Sequence, residues 1–139
     1  MMEETKFRGK NEGNWMYGSY AKTGVGLHYI VPQNLISNQL IGYVVDKKSV
    51  GQYTGLKDKN GKGIFEGDSD GVYIVKHGEF PVRCHETIRI IDKAYGWYLD
   101  PIDKSMEPSS WEIPLNDFYI NRLDVFDKNI YDNPELLEK

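Results

Sequence analysis

The stretch that most limits how this chain can fold is Asp58-Lys59-Asn60-Gly61-Lys62-Gly63, set inside the longer run of residues 51–68. Asn-Gly is the strongest short-range signal for a tight hairpin, because Gly, and Asn after it, tolerate the positive φ that other L residues resist. Asn60 and Gly61 are therefore the expected corner, both at positive φ. The chain must reverse there, between an aromatic strand around Tyr53 and a second strand through Ile64 and Phe65. Ten Tyr, three Trp and five Phe among 139 residues point the same way, since aromatic side chains favour strands.

Strand-forming stretches punctuated by Gly, Asn and Pro recur along the chain. They are expected at residues 6–8, 15–20, 27–31, 40–45 and 50–53, with 9–14 and 21–26 as turns and Pro32 ending one strand. Further strands are expected at 72–76 and 80–83, joined by a turn at His77-Gly78-Glu79, then at 87–91 and 96–99, and last at Leu123, Val125 and Phe126. Residues 33–39 fit a loop or a single helical turn. Residues 102–110, with Pro108 and two adjacent serines, are expected to form a mobile loop. Asn133 before Pro134 and Glu135 has the form of a capped helix start. The expected fold class is mainly β, a barrel or sandwich with extra hairpins and a short C-terminal helix.

A chain of this length suits one domain over residues 1–139, with a division into two β halves near 1–48 and 49–139 as the alternative. No apolar run approaches the roughly 20 residues that span a bilayer, and MMEETKFRGK lacks the apolar core of a signal peptide, so a cytoplasmic protein without membrane partners is expected. Cys84 is the single cysteine, which rules out an intramolecular disulfide. Residues 1–62 carry nine Lys/Arg against five Asp/Glu, whereas 63–139 carry eight against sixteen. Such asymmetry fits a basic face, or complementary faces that meet between subunits, but the plainer reading is that the two halves interleave in one fold and mix their charges on its surface.

The Gly- and Lys-rich turn invites two ligand readings, and spacing removes both. From Gly55 to Gly61-Lys62 there is one residue too many for a phosphate-binding P-loop, and Gly63 stands where Ser or Thr should bind magnesium. As a calcium loop starting at Asp58, it would have Lys62 at a ligand position and Ser69 in place of the closing bidentate Glu. Glu66, Asp68 and Asp70 would share one face of an extended strand, the condition for a shared proton or metal, but no base lies beside them in the sequence. Cys84 and His85, with His77 nearby, would point to opposite faces of a strand and so do not form a nucleophile and base. Phe7, Arg8, Lys10, Trp15, Tyr17, Tyr20 and Lys22 mix aromatic and basic side chains as base-stacking sheets do, although the overall acidity opposes phosphate binding. No cofactor is expected.

Three separated motifs carry a resemblance that these chemical readings lack. Val50-Gly51-Gln52-Tyr53-Thr54-Gly55-Leu56-Lys57-Asp58-Lys59-Asn60-Gly61-Lys62, continuing through Ile64-Phe65-Glu66-Gly67-Asp68, closely resembles the signature of the YopX-like proteins of bacteriophages and prophages. Lys6-Phe7-Arg8-Gly9-Lys10 with Trp15-Met16-Tyr17-Gly18-Ser19 is similar to the opening of that family, and Ile130-Tyr131-Asp132-Asn133-Pro134-Glu135-Leu136-Leu137 to its ending. The resemblance implies a mostly β protein of SH3-like barrel character from a phage or integrated prophage, and it brings no functional residues with it. The chain departs from the family pattern in two places: Ser69-Asp70-Gly71 intervenes before Val72, and Phe126-Asp127-Lys128 replaces the usual step before Asn129.

The expected function is therefore non-enzymatic, a binding or oligomerisation module that forms a homo-oligomer. SH3-like barrels bind through aromatic residues near loops, which nominates Tyr53, Tyr73, Trp97 and Tyr98. The alternatives are a metal-assisted hydrolase using Glu66, Asp68 and Asp70, and an accessory factor for single-stranded nucleic acid.

Overall fold

A computed structural model of the protein describes residues 6–32, 42–84, 86–106 and 111–138. The fold is mainly β, and the chain divides into two compact units, Met1–Tyr53 and Thr54–Lys139.

In the first unit, β1 (Phe7–Asn11) and β2 (Asn14–Lys22) form a hairpin around the two-residue turn Glu12-Gly13. The outer edge of β2 pairs with β3 (His28–Val31), which pairs with β4 (Tyr43–Val45). On the other side of β1 lie Gly51 and Gln52, the start of β5 (Gly51–Lys57). The strands curl toward a barrel. The Asp46 N–H, just past β4, donates to the Lys10 carbonyl of β1 at 3.0 Å, and the Asn11 side chain donates to the Val44 carbonyl at 2.7 Å. Val45 then crosses Gly9 so closely that an added Cβ would come within 2.8 Å of it, which is why this strand carries glycine there. Ile30 and Val45 are buried on the inner side of the curl. No ladder joins β4 to β1, so the ring stays open. Asp46 caps a 3-10 turn, Lys47–Ser49, by accepting from the Lys48 N–H.

In the second unit, the rest of β5 pairs with β6 (Gly63–Phe65). A five-stranded antiparallel sheet follows in the order β10 (Ile113–Pro114), β9 (Ile90–Pro101), β8 (Tyr73–Arg83), β7 (Asp68–Ser69), β11 (Lys128–Asn129). Its core is Ile64, Val75, Leu99, Leu115, Ile120 and Phe126, with Tyr73, Trp97 and Tyr119 packed against it. Burial of side chains of this size contributes about 1.5–3 kcal/mol each. The two segments that depart from the family pattern are partners, since Ser69 pairs with Lys128 and Asp68 with Asn129. No described helix is long and apolar enough to cross a membrane.

Several local expectations are corrected. His77-Gly78-Glu79 is no turn. Gly78 sits opposite Gly96 inside one continuous ladder, and the reversal comes between Arg83 and Ile90, where Ile88 takes a φ of 62°. Thr87 accordingly lies in that turn rather than in a strand, and β9 runs unbroken from Ile90 through Pro101. Leu123, Val125 and Phe126 form no strand; Phe126 is buried as a core anchor instead. The C-terminal helix is a 3-10 turn, Pro134–Leu137, and Asn133 does not cap it, because its side chain accepts from the Asn129 N–H. Residues 33–41 and 107–110 lie outside the described residues, and with them the last four residues of the expected loop at 102–110; Lys104–Met106 of that loop is a 3-10 turn.

Candidate functional site

The turn after β5 is organised by Asp58. Its Oδ1 accepts from the N–H groups of Asn60 and Lys62 at 2.9 and 3.0 Å, and the Gly61 N–H closes onto the Asp58 carbonyl at 2.9 Å. Gly61 takes a φ of 84°, whereas Asn60 is not among the described residues with positive φ. The corner is therefore Gly61 alone at positive φ, with Asn60 in ordinary turn geometry. The amides that a phosphate loop would aim at an anion are here satisfied by Asp58.

Glu66, Asp68 and Asp70 do not share a face. Glu66-Gly67 is a turn, which breaks the alternation, and Glu66 is exposed while Asp68 and Asp70 are buried. Asp68 Oδ2 accepts from the Phe65 N–H at 2.9 Å. Asp70 Oδ1 accepts from the N–H groups of Val72 and Tyr73 at 3.0 and 2.9 Å. Both carboxylates thus hold the backbone around β7. Burial, with the nearby Asp70 charge and then Tyr119, raises the Tyr73 hydroxyl above its ordinary pKa. Among the described residues no cluster of three or more His, Cys, Asp or Glu could hold a metal ion.

The four nominated aromatics do not converge either. Tyr73 and Trp97 pack against the core of the second unit. Tyr98 follows Trp97 on a strand and so faces the other way, stacked on Phe80 at 5.0 Å. Tyr53 belongs to the first unit, with the Lys6 ammonium 5.5 Å from its ring centroid.

Tyr53 lies on a surface that the sequence only hinted at. Register puts Arg8 opposite Tyr17 and Lys10 opposite Trp15, and the Tyr53 N–H donates to the Lys6 carbonyl at 2.7 Å. Opposed residues share a face, so Lys6, Arg8, Lys10, Trp15, Tyr17 and Tyr53 line the outer face of the curled sheet. The Arg8 guanidinium lies 4.4 Å, and the Lys10 ammonium 4.9 Å, from the Trp15 ring centroid. Phe7 and Tyr20 pair on the inner face at 5.5 Å, and the Tyr20 hydroxyl meets His28 Nδ1 at 2.6 Å. Phe7, Tyr20 and Lys22 therefore leave the expected base-stacking set.

The second surface is the outer half of the β8–β9 ribbon. β7 meets β8 only at Ile74, and β10 meets β9 only at Leu99 and Tyr98. Further out, among the described residues, the ladder is two-stranded. Its turn end exposes Ile90, Ile91 and Tyr95, the last to 75%. The His77 ring stands edge-on to Tyr95 at 5.2 Å and to Trp97 at 4.6 Å, and Lys93 reaches Glu79 at 3.6 Å. Cys84 lies at the turn, where hydrogen bonds from the Thr87 side chain and from the backbone of Thr87 and Glu86 lower its thiol pKa. His85 lies outside the described residues.

Among known proteins, a family model described as YopX protein matches residues 6–138. No curated protein and no solved structure matches the chain.

Proposed function

The chain belongs to the YopX protein family, and from that premise we propose that it works as a non-enzymatic module that binds and self-associates through the outer half of its β8–β9 ribbon. The observation that carries this reading is a two-stranded ladder ending in exposed Ile90, Ile91 and Tyr95. A lone two-stranded ribbon is marginal in water, and an unpaired strand edge is a template for another chain. The two edges differ. β8 carries Pro81, which donates no ladder hydrogen bond, whereas β9 has no proline from Ile90 to Tyr98. Pairing of β9 with a second copy would add ladder bonds and cover the three apolar side chains. The reading built on Glu66, Asp68 and Asp70 lacks comparable support, because two of these carboxylates are engaged by backbone amides.

Sedimentation velocity over a wide range of protein and salt concentration tests the proposal. The wild-type chain should show concentration-dependent association, and Ile91→Glu with Tyr95→Glu should return it to monomer with the melting curve retained. A wild-type chain that stays monomeric throughout would overturn the self-association.

A further inference from the structure

We infer that the outer face of the first unit binds single-stranded nucleic acid, a role beyond the ribbon and on a different surface. β1, β2, β3 and β4 contain Arg8, Lys10 and Lys22 and no acidic residue at all; the described acids of this unit, Glu12 and Asp46, lie in a turn and a cap. None of the acid that gives the whole chain its negative charge lies on these four strands. A surface with this charge attracts a polyanion wherever the acids of the chain are remote by a Debye length or more.

Aromatic rings give the attraction its chemical class. Trp15 and Tyr17 lie two residues apart on β2 and Tyr53 flanks them across β1, all on the face that carries Lys6 and Lys10. Tyr17 is 47% exposed. Arg8 is only 4% exposed and lies beneath the Trp15 ring, so its part is to hold that ring in place while Lys6 and Lys10 meet phosphates. Rings interleaved with cations on a sheet face are what unstacked bases need, since every base offers a π-face. A duplex hides those faces, and an acidic peptide has no use for the rings.

The test is fluorescence anisotropy of a labelled single-stranded oligothymidine with the full chain. Two cations that neutralise phosphates, Lys6 and Lys10, predict an affinity loss of about sevenfold between about 50 and about 200 mM salt. Tyr17→Ala should weaken binding at least about fivefold without changing the salt slope, and Lys6→Gln with Lys10→Gln should flatten that slope. Circular dichroism spectra that match the wild type show that each variant is folded. The Ile91→Glu and Tyr95→Glu chain should keep its oligonucleotide affinity, which separates this surface from the ribbon. Absence of binding at low salt overturns the inference. So does equal binding of duplex or polyglutamate together with an unaffected Tyr17→Ala, an outcome that points to an acidic protein instead.

Discussion

The carboxylate of Asp58 accepts the backbone N–H of Phe126 at 3.2 Å, across 68 residues of chain. One side chain thus closes its own turn through Oδ1 and fixes the most buried aromatic of the core through Oδ2. Lys62 repeats the link from the other end of the turn, donating to the Phe126 carbonyl at 3.0 Å.

Asp58→Ala should therefore cost far more than a surface turn residue. Hydrogen bonds to a charged group contribute about 1.5–3 kcal/mol each, and the buried Phe126 N–H would lose its partner. A loss of about 3 kcal/mol or more in urea unfolding is expected, with Asp58→Asn giving a smaller loss. A change below about 1 kcal/mol would mean that the turn and Phe126 are not coupled.

The corner itself separates Gly61 from Asn60. Gly61→Ala forces a Cβ into the left-handed region and should destabilise by about 1–2 kcal/mol. Asn60→Val keeps the N–H that Asp58 accepts and should cost less than Gly61→Ala. The opposite order in matched chemical unfolding curves would place the positive φ at Asn60.

Asp100 gives the protein an acid-sensitive contact. Burial alone would raise its carboxyl pKa, but hydrogen bonds and charges from Lys104 at 2.5 Å and Lys76 at 2.6 Å hold it below the ordinary value. With the folded pKa below the unfolded value of about 3.9, the unfolded chain takes up the proton first. The stabilisation is full above that value and is lost as pH falls from about 4 through the folded pKa. Asp100→Asn should lower stability at neutral pH and make the urea midpoint less dependent on pH in the acid range. An unchanged acid slope in that variant would refute the assignment.

The Cys84 thiol should react at lower pH than an ordinary cysteine. Its pKa is lowered chiefly by the Thr87 side chain. The pH profile of alkylation by iodoacetamide should have its midpoint below that of a cysteine in the unfolded chain, and Thr87→Val should move it upward. A midpoint indifferent to Thr87 would leave the backbone N–H groups as the whole cause.

How much of this was legible depended on how local the cause was. Strands around Trp15, Ile30, Tyr53 and Ile64 and the reversal near Asn60-Gly61 follow from residues close in sequence. The ribbon is misread because Gly78 looks like punctuation, whereas the real reversal, between Arg83 and Ile90, has no Gly, Pro or Asn and places a β-branched residue, Ile88, at positive φ. Leu123, Val125 and Phe126 suit a strand, yet Phe126 is held by Asp58, a partner that periodicity cannot find. The one-turn helix α1 (Asp117–Ile120) could have been found, since Asn116 Oδ1 accepts from the Tyr119 N–H and an Asn before an acid is a readable cap. Of the outer face in the first unit, the residue types were visible and their gathering was not. Which of Phe7 and Arg8 faces outward depends on register with β2 and β5.

The rung formed by Gly78 and Gly96 is the one place in the β8–β9 ladder where neither strand has a side chain. Beside the main chain, the His77 ring reaches across it to meet Tyr95. The ribbon is thus narrowest at a glycine rung and is pinned across it by an aromatic clasp, which ties its Tyr95 end to the half that holds Val75 and Leu99 in the core.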